Sequence, residues 1–371
     1  MLRTCLLIVF VVGSAAIYIN LEASPTQIQN RGHSQISYNL AVSAFFENKD
    51  RIYLSRSGEP LKVLRTFRNG EGVTPRFSPD GKKLAFSEHD GTDLEIMVLD
   101  FGTGILKQIT DDDFDDVMPA WSPDSSRLAW TKTPCRCIDG ANASEIWASP
   151  WPGFRPMRMT ENRRMDVYPT FTSDGERIVF ESGDVKEFFG IFTVSWSDKK
   201  EVAVVYEPDS SANGIPDVMG DYVLFERADR ESKLIYFNAV FDLSKFGNEI
   251  FRPTAWAALG ANPTPRFSPD GKFIASHRLP AVGGRSEVVI SPFIRPGEPK
   301  PTGKAKEVVA GGEGHILRLP RWSRDSKYLL VQPQPNSGLA VVDLTGAITY
   351  LPMPGIGRGQ KFMEIWNHDI H

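Results

Sequence analysis

Short alternating runs dominate the chain. Leu84 and Phe86, Leu128 and Trp130, Ile178 and Phe180, and Leu329 and Val331 recur in period two, the pattern of a half-buried strand. A tight-turn signal precedes each run: Ser78-Pro79-Asp80-Gly81, Ser122-Pro123-Asp124-Ser125, Thr172-Ser173-Asp174-Gly175 and Ser323-Arg324-Asp325-Ser326, with a further copy at Ser268-Pro269-Asp270-Gly271. Pro presets the first turn position, and Gly or Asp tolerates the left-handed one. An aromatic residue stands just before each turn (Phe77, Trp121, Phe171, Phe267, Trp322), so every copy reads as a short strand, a turn and a second strand. Third strands follow at Glu95 to Leu99, Glu145 to Ala148 and Gly190 to Val194, and fourth strands at Lys107 to Thr110, Arg158 to Thr160 and Val202 to Val205. No run with helical periodicity follows residue 25.

The turn aspartates Asp80, Asp124, Asp174, Asp270 and Asp325 are separated by 44, 50, 96 and 55 residues. A repeat of this length is that of a β-propeller blade, and the double gap hides one more copy, at Asp217 to Phe225, where the turn has shrunk to Gly220-Asp221. Six first strands therefore lie inside the chain. Tyr38 to Phe46, Arg51 to Leu54 and Leu61 to Leu64 read as strands two to four of a blade lacking its first strand, and Lys361 to Asn367 is expected to supply it. Pairing both ends of the chain in one blade removes exposed sheet edges. The expected fold is an all-β propeller of seven four-stranded blades with N/C-terminal strand closure; six is the alternative, with the Asp217 copy as an insertion.

The Pro-x-Phe/Trp-Ser-Pro-Asp-Gly-Lys-x-Leu/Ile-Ala-Phe phrase resembles the TolB-type propeller repeat, which also occurs in the propellers of prolyl oligopeptidases and oligogalacturonate lyases. The resemblance covers residues 37–371 and implies the fold more than a function, since propellers host unrelated activities. About 35 residues precede the first strands, too few for the α/β domain of TolB itself, so a stand-alone propeller is expected. The peptidase reading requires an α/β-hydrolase domain with a Gly-x-Ser-x-Gly elbow, and no such pentapeptide occurs.

Arg3 followed by an apolar stretch from Leu6 to Ile19, with small residues at Ser14 and Ala16, reads as a signal peptide or N-terminal anchor over 1–24, with a linker at 25–36 and the propeller at 37–371. The product is expected to be periplasmic or secreted, and to meet a membrane only through an uncleaved leader. With 42 Lys and Arg against 46 Asp and Glu, a formal charge of −4, nucleic acid is not an expected partner. Cys135 and Cys137 form either a small-loop disulfide or two inert thiols, and Asn142-Ala143-Ser144 is a glycosylation sequon that operates only in a secreted eukaryotic chain.

Propeller geometry sends the loops between strands four and one, and between strands two and three, to one end of the ring. Asp115, Asp116, Asp166, Asp217, His89, His277, Arg278, His315 and Arg318 fall there, opposite the Ser-Pro-Asp-Gly turns, and are the candidate ligand-binding residues. Two functions fit this face. One is a non-enzymatic, monomeric module that binds a protein or glycan and needs no cofactor. The other, implied by the likeness to oligogalacturonate lyases and their His-rich metal coordination, is a metal-dependent polysaccharide lyase or hydrolase; by their face alone, His89, His277 and His315 with a carboxylate such as Asp116 are the candidates to hold one divalent ion, and Arg278 or Arg318 to pair with a uronate carboxylate.

Overall fold

The computed structural model describes residues 17–20, 39–46, 49–55, 62–67, 75–134, 143–183, 190–205, 216–228, 236–243, 250–251, 265–278, 287–295, 308–311, 316–323, 325–334 and 339–351. These form strands, tight turns and bends in seven four-stranded antiparallel sheets, the architecture of an all-β propeller. The first holds β1 (Ile17–Asn20), β2 (Asn39–Phe46), β3 (Lys49–Ser55) and β4 (Lys62–Thr66). The second holds β5 (Arg76–Phe77), β6 (Lys83–His89), β7 (Leu94–Asp100) and β8 (Leu106–Gln108), and the third β9 (Phe114–Trp121), β10 (Arg127–Pro134), β11 (Glu145–Pro150) and β12 (Met157–Arg158). In the fourth are β13 (Met165–Phe171), β14 (Arg177–Gly183), β15 (Gly190–Ser195) and β16 (Glu201–Val205), and in the fifth β17 (Asp217–Met219), β18 (Tyr222–Ala228), β19 (Tyr236–Asp242) and β20 (Ile250–Phe251). The sixth contains β21 (Arg266–Phe267), β22 (Phe273–Arg278), β23 (Glu287–Pro292) and β24 (Val308–Gly311), and the seventh β25 (Ile316–Trp322), β26 (Tyr328–Gln334), β27 (Leu339–Asp343) and β28 (Ile348–Leu351).

The second strands β6, β10, β14, β18, β22 and β26 are buried on both faces, so the half-buried reading of their alternation is corrected. Leu84, Ala85 and Phe86 are all buried, as are Leu128, Ala129 and Trp130. In β6 and β10 the alternation is large against small rather than apolar against polar, because the second and third sheets are packed on both faces. Ala85 packs in one cluster with Leu128 and Trp130 of the next sheet, and Ala129 with Ile178 and Phe180 of the one after. Further along, Val179 packs with Val223 and Phe225, and Ala275 with Leu329 and Val331, while Leu224 meets Ile274 as large on large. A small residue facing a large one lets adjacent sheets interdigitate at interior packing density.

The edge of β2 assigned by sequence to Lys361 to Asn367 is taken by β1, with Ile17 opposite Val42 and Asn20 opposite Asn39. Ile17-Tyr18-Ile19 is β-branched and aromatic, so the end of an apolar leader-like stretch also has strong strand propensity. Residues 361–367 lie outside the described residues.

The turns are built by their own side chains. The hydroxyls of Ser122, Thr172, Ser268 and Ser323 each donate to the Asp two residues on, at 2.6 Å, and Ser78 does the same to Asp80. Each Asp then accepts the backbone N–H two residues further, at 3.0–3.2 Å. The left-handed position is glycine in three turns (Gly81, Gly175, Gly271) and serine in two, Ser125 with φ 61° and Ser326 with φ 59°. Those serines join blades: Ser125 Oγ accepts Asp80 N–H at 3.1 Å, and Ser326 Oγ accepts Asp270 N–H at 2.9 Å. A second joint lies deeper, where Trp121 Nε1 donates to the Arg76 carbonyl and Trp322 Nε1 to that of Arg266, at 3.3 and 3.2 Å. Replacing Asp270 by Ala should therefore cost about 1–2 kcal/mol, from one hydroxyl and one N–H left to find water. Urea unfolding of the variant checks this, and an unchanged midpoint would remove the structural role.

Candidate functional site

The third and fourth sheets enter from the same end with matching phrases, Asp116-Val117-Met118-Pro119 and Asp166-Val167-Tyr168-Pro169. Both aspartates are fully buried. Asp116 lies opposite Lys132 of β10 and Asp166 opposite Ser182 of β14, each just ahead of a register shift in the ladder. At that shift Met118 and Tyr168 adopt left-handed φ of 57°, a conformation that bulky residues rarely hold and that persists only where surroundings over-determine it.

Around each aspartate the donors differ. Asp116 Oδ1 accepts Trp130 Nε1–H at 2.7 Å, while Lys132 Nζ stands 3.5 Å from Oδ2 and pairs closely with Asp112. The ammonium also lies 5.1 Å from the Trp147 ring centre and 5.2 Å from that of Phe114. Burial pushes the Asp116 carboxyl up to about 7, opposed by Lys132 and reinforced by Asp112 and Glu95. Asp166 accepts the Ser182 hydroxyl and, at 2.8 Å, Asn162 Nδ2–H. Burial raises it to about 6, against the hydrogen bonds from Ser182, Thr160 and Asn162. Arg164 closes this side: Nε donates to Ser182 Oγ at 2.7 Å, the guanidinium pairs with Glu201, and its carbon lies 4.3 Å from the Phe192 ring centre. Two consecutive blades thus present a buried carboxylate and a cation parked on an aromatic face.

Other sequence-chosen residues have different places. Asp115, buried and raised by that burial, accepts Leu94 N–H at 2.9 Å, which ties the β6–β7 turn to the start of β9. His89 ends β6, and its Nδ1 accepts Gly91 N–H at 3.0 Å. Asp217 is a blade-to-blade joint, its Oδ2 accepting Phe267 N–H at 2.7 Å. His277 and Arg278 end β22 opposite Val288 and Glu287, and Arg318 lies in β25 opposite Gln332. His315, Cys135, Cys137 and Asn142 lie outside the described residues.

Arg164, like Asp166, falls on the face that connectivity assigns; sequence reasoning missed Lys132, Asn162 and the pair Glu95 and Glu145, which lie at the starts of β7 and β11. Their signal lay in the repeat itself, as Glu-Ile at the start of strand three matched with Thr two residues past the fourth strand, at Thr110 and Thr160. Glu95 Oε1 accepts Asp112 N–H and Glu145 Oε1 accepts Asn162 N–H, so both glutamates hold the crossover to the next blade.

Stacked four-stranded blades with bulged, polar entries at one end define a β-propeller scaffold. Comparison with solved structures agrees on the fold: an oligogalacturonate lyase in complex with manganese has a TM-score of 0.60 at 11% identity, over 91% of this chain and 97% of that one. A prolyl endopeptidase has a TM-score of 0.59 at 14% identity, over 88% of this chain and 50% of that one. The family model of the TolB beta propeller domain matches residues 73–274, and the chain belongs to that family. Among curated relatives, the Protein TolB homolog of Chlorobium chlorochromatii is 28% identical over 125 residues, and Tricorn protease homolog 1 of Streptomyces coelicolor is 30% identical over 129. Each match covers 34% of this chain, and the chain spans 26% and 11% of their respective lengths.

Proposed function

We propose that this chain is an exported, non-enzymatic propeller of seven blades, monomeric, that binds a protein or glycan partner at the end bearing Asp116 and Asp166. The carrying observation is the paired entry of the third and fourth sheets, where buried carboxylates, left-handed bulky residues and aromatic-held cations are fixed by hydrogen bonds before any partner arrives. Pre-set polar groups of both signs suit recognition with little ordering cost. Membership of the TolB propeller family supports a binding role.

Neighbouring first strands support ring closure. β5, β9, β13, β17, β21 and β25 follow one another in space, and β1 lies beside both β25 and β5. The small residues Ser14 and Ala16 support export, since cleavage after Ala16 would leave Ile17, the first residue of β1, as the new N-terminus.

The test combines capture and catalysis. Immobilised protein is expected to retain one defined envelope protein or glycan, and charge reversal at the exposed Asp113 and Arg163 together should lower that retention without changing thermal stability. Release of unsaturated uronate from oligogalacturonate in the presence of manganese would instead establish the lyase. Retention indifferent to both substitutions would move the site elsewhere.

A further inference from the structure

Glu95 and Glu145 occupy the same place in consecutive blades, and the blade makes the same main-chain use of each. Thr110 Oγ1 accepts Ile96 N–H at 2.8 Å and Thr160 Oγ1 accepts Ile146 N–H at 2.9 Å. Asp112 N–H reaches Glu95 at 3.0 Å and Asn162 N–H reaches Glu145 at 3.1 Å. The remaining partners differ. Glu145 also receives Arg158 at 2.8 Å on Oε1 and the Thr160 hydroxyl at 2.7 Å on Oε2, so its charge is answered.

The position of Arg158 is filled in β8 by Gln108, as their partners Trp147 and Met97 show by register. Glu95 is fully buried, and its Oε2 has no hydrogen-bond partner; the Thr110 hydroxyl stands near enough to oppose the rise in its pKa, yet makes no bond to Oε2 like that of Thr160. Where the next blade has a guanidinium, this one has two more acids. One carboxylate oxygen each from Asp90, Asp93 and Glu95 lies within 4.8 Å of the other two, and Asp93 is 4% exposed. Among the described residues no Lys or Arg pairs with any of the three. Like charges this close, partly desolvated, require a counter-charge to remain ionised.

We propose that Asp90, Asp93 and Glu95 form a binding site for a hard divalent cation of the calcium type, seated between the β6–β7 turn and the crossover into β9. Oxygen donors alone favour calcium or magnesium over zinc or copper, and a turn supplying carboxylates and open to water accommodates the larger, less rigid ion. His89 is tied into the same turn, its Nδ1 accepting Gly91 N–H. Filling the site would lock the turn to the crossover that positions Asp115 and Asp116, through Asp112 and Leu94.

The experiment titrates the full chain, stripped with chelator, with calcium chloride to about 10 mM, above the millimolar range of weak extracellular calcium modules. Calorimetric heat and a higher Tm are expected for the parent. Glu95→Gln and Asp93→Asn should weaken binding roughly tenfold or more. Because these variants remove buried groups, Gln108→Arg supplies the decisive control: it reproduces the arginine of the next blade, and should fold, melt no lower than the calcium-free parent and lose the calcium response. Absence of heat and of any Tm change in the parent would overturn the proposal. So would an equal effect of potassium chloride at matched ionic strength, or a full calcium response in Gln108→Arg.

Discussion

Trp130→Ala is expected to destabilise the protein by about 3–5 kcal/mol, the range for truncating a buried aromatic ring. Trp130 is 1% exposed, packs with Ala85, Ile96 and Trp121 across the interface between the second and third sheets, and stacks on Phe154 at 5.7 Å. Its Nε1–H is also a hydrogen bond to the buried Asp116. Trp130→Phe separates the two contributions, since it keeps most of the ring and removes the donor, and should cost about 1–3 kcal/mol. Chemical unfolding of both variants measures the difference. If alanine cost no more than phenylalanine, the ring would not be a keystone of that interface.

A second large effect concerns pH. The folded-state carboxyls of Asp116 and Asp166 sit at about 7 and about 6, above the ordinary value of 3.8, because burial disfavours their charged forms. The folded protein therefore binds more protons than the unfolded chain between about pH 4 and pH 7, so these two groups lower stability as pH rises through that window and change nothing further above it. The shift at Asp116 amounts to roughly 4 kcal/mol at about 1.4 kcal/mol per unit. Asp116→Asn removes this titration while keeping an acceptor for Trp130, so the variant should gain on the parent by several kcal/mol between pH 4 and pH 8. Asp124, held down to about 2 by the Ser122 and Ser126 hydroxyls, works with the opposite sign: its contribution is present above about pH 4 and fades below. Unfolding midpoints of parent and variant across this range decide the matter, and parallel profiles would show that Asp116 keeps an ordinary carboxyl.

The turns were legible because their chemistry is local. A serine, an aspartate and a residue able to hold positive φ lie within four positions, and no distant group is needed to read them. The two-sided burial of the second strands was not, since Leu84-Ala85-Phe86 has the alternation of a half-buried strand until one sees that Ala85 receives Trp130 from the next blade. β1 was hidden for a different reason: an apolar stretch ending in Ile17-Tyr18-Ile19 satisfies a leader and a strand equally well. At the site, Asp116 and Asp166 could be placed on one end by connectivity alone. Glu95 and Glu145 could not be distinguished from solvated charges until burial separated them, and the contrast between Gln108 and Arg158 acquires meaning only once β8 and β12 are superposed as equivalents.

The serine joints carry information about order as well as strength. Ser125 belongs to the third sheet but answers the turn of the second, and Ser326 belongs to the seventh but answers the turn of the sixth. A blade taken from this chain is therefore not interchangeable with its siblings, because its turn is matched to a specific predecessor. In blade-shuffled or tandem-repeat designs, a Ser-x-Asp-Ser blade should be moved together with the blade before it, as a two-blade cassette, whereas single-blade transplants would leave each ladder intact and its seams mismatched.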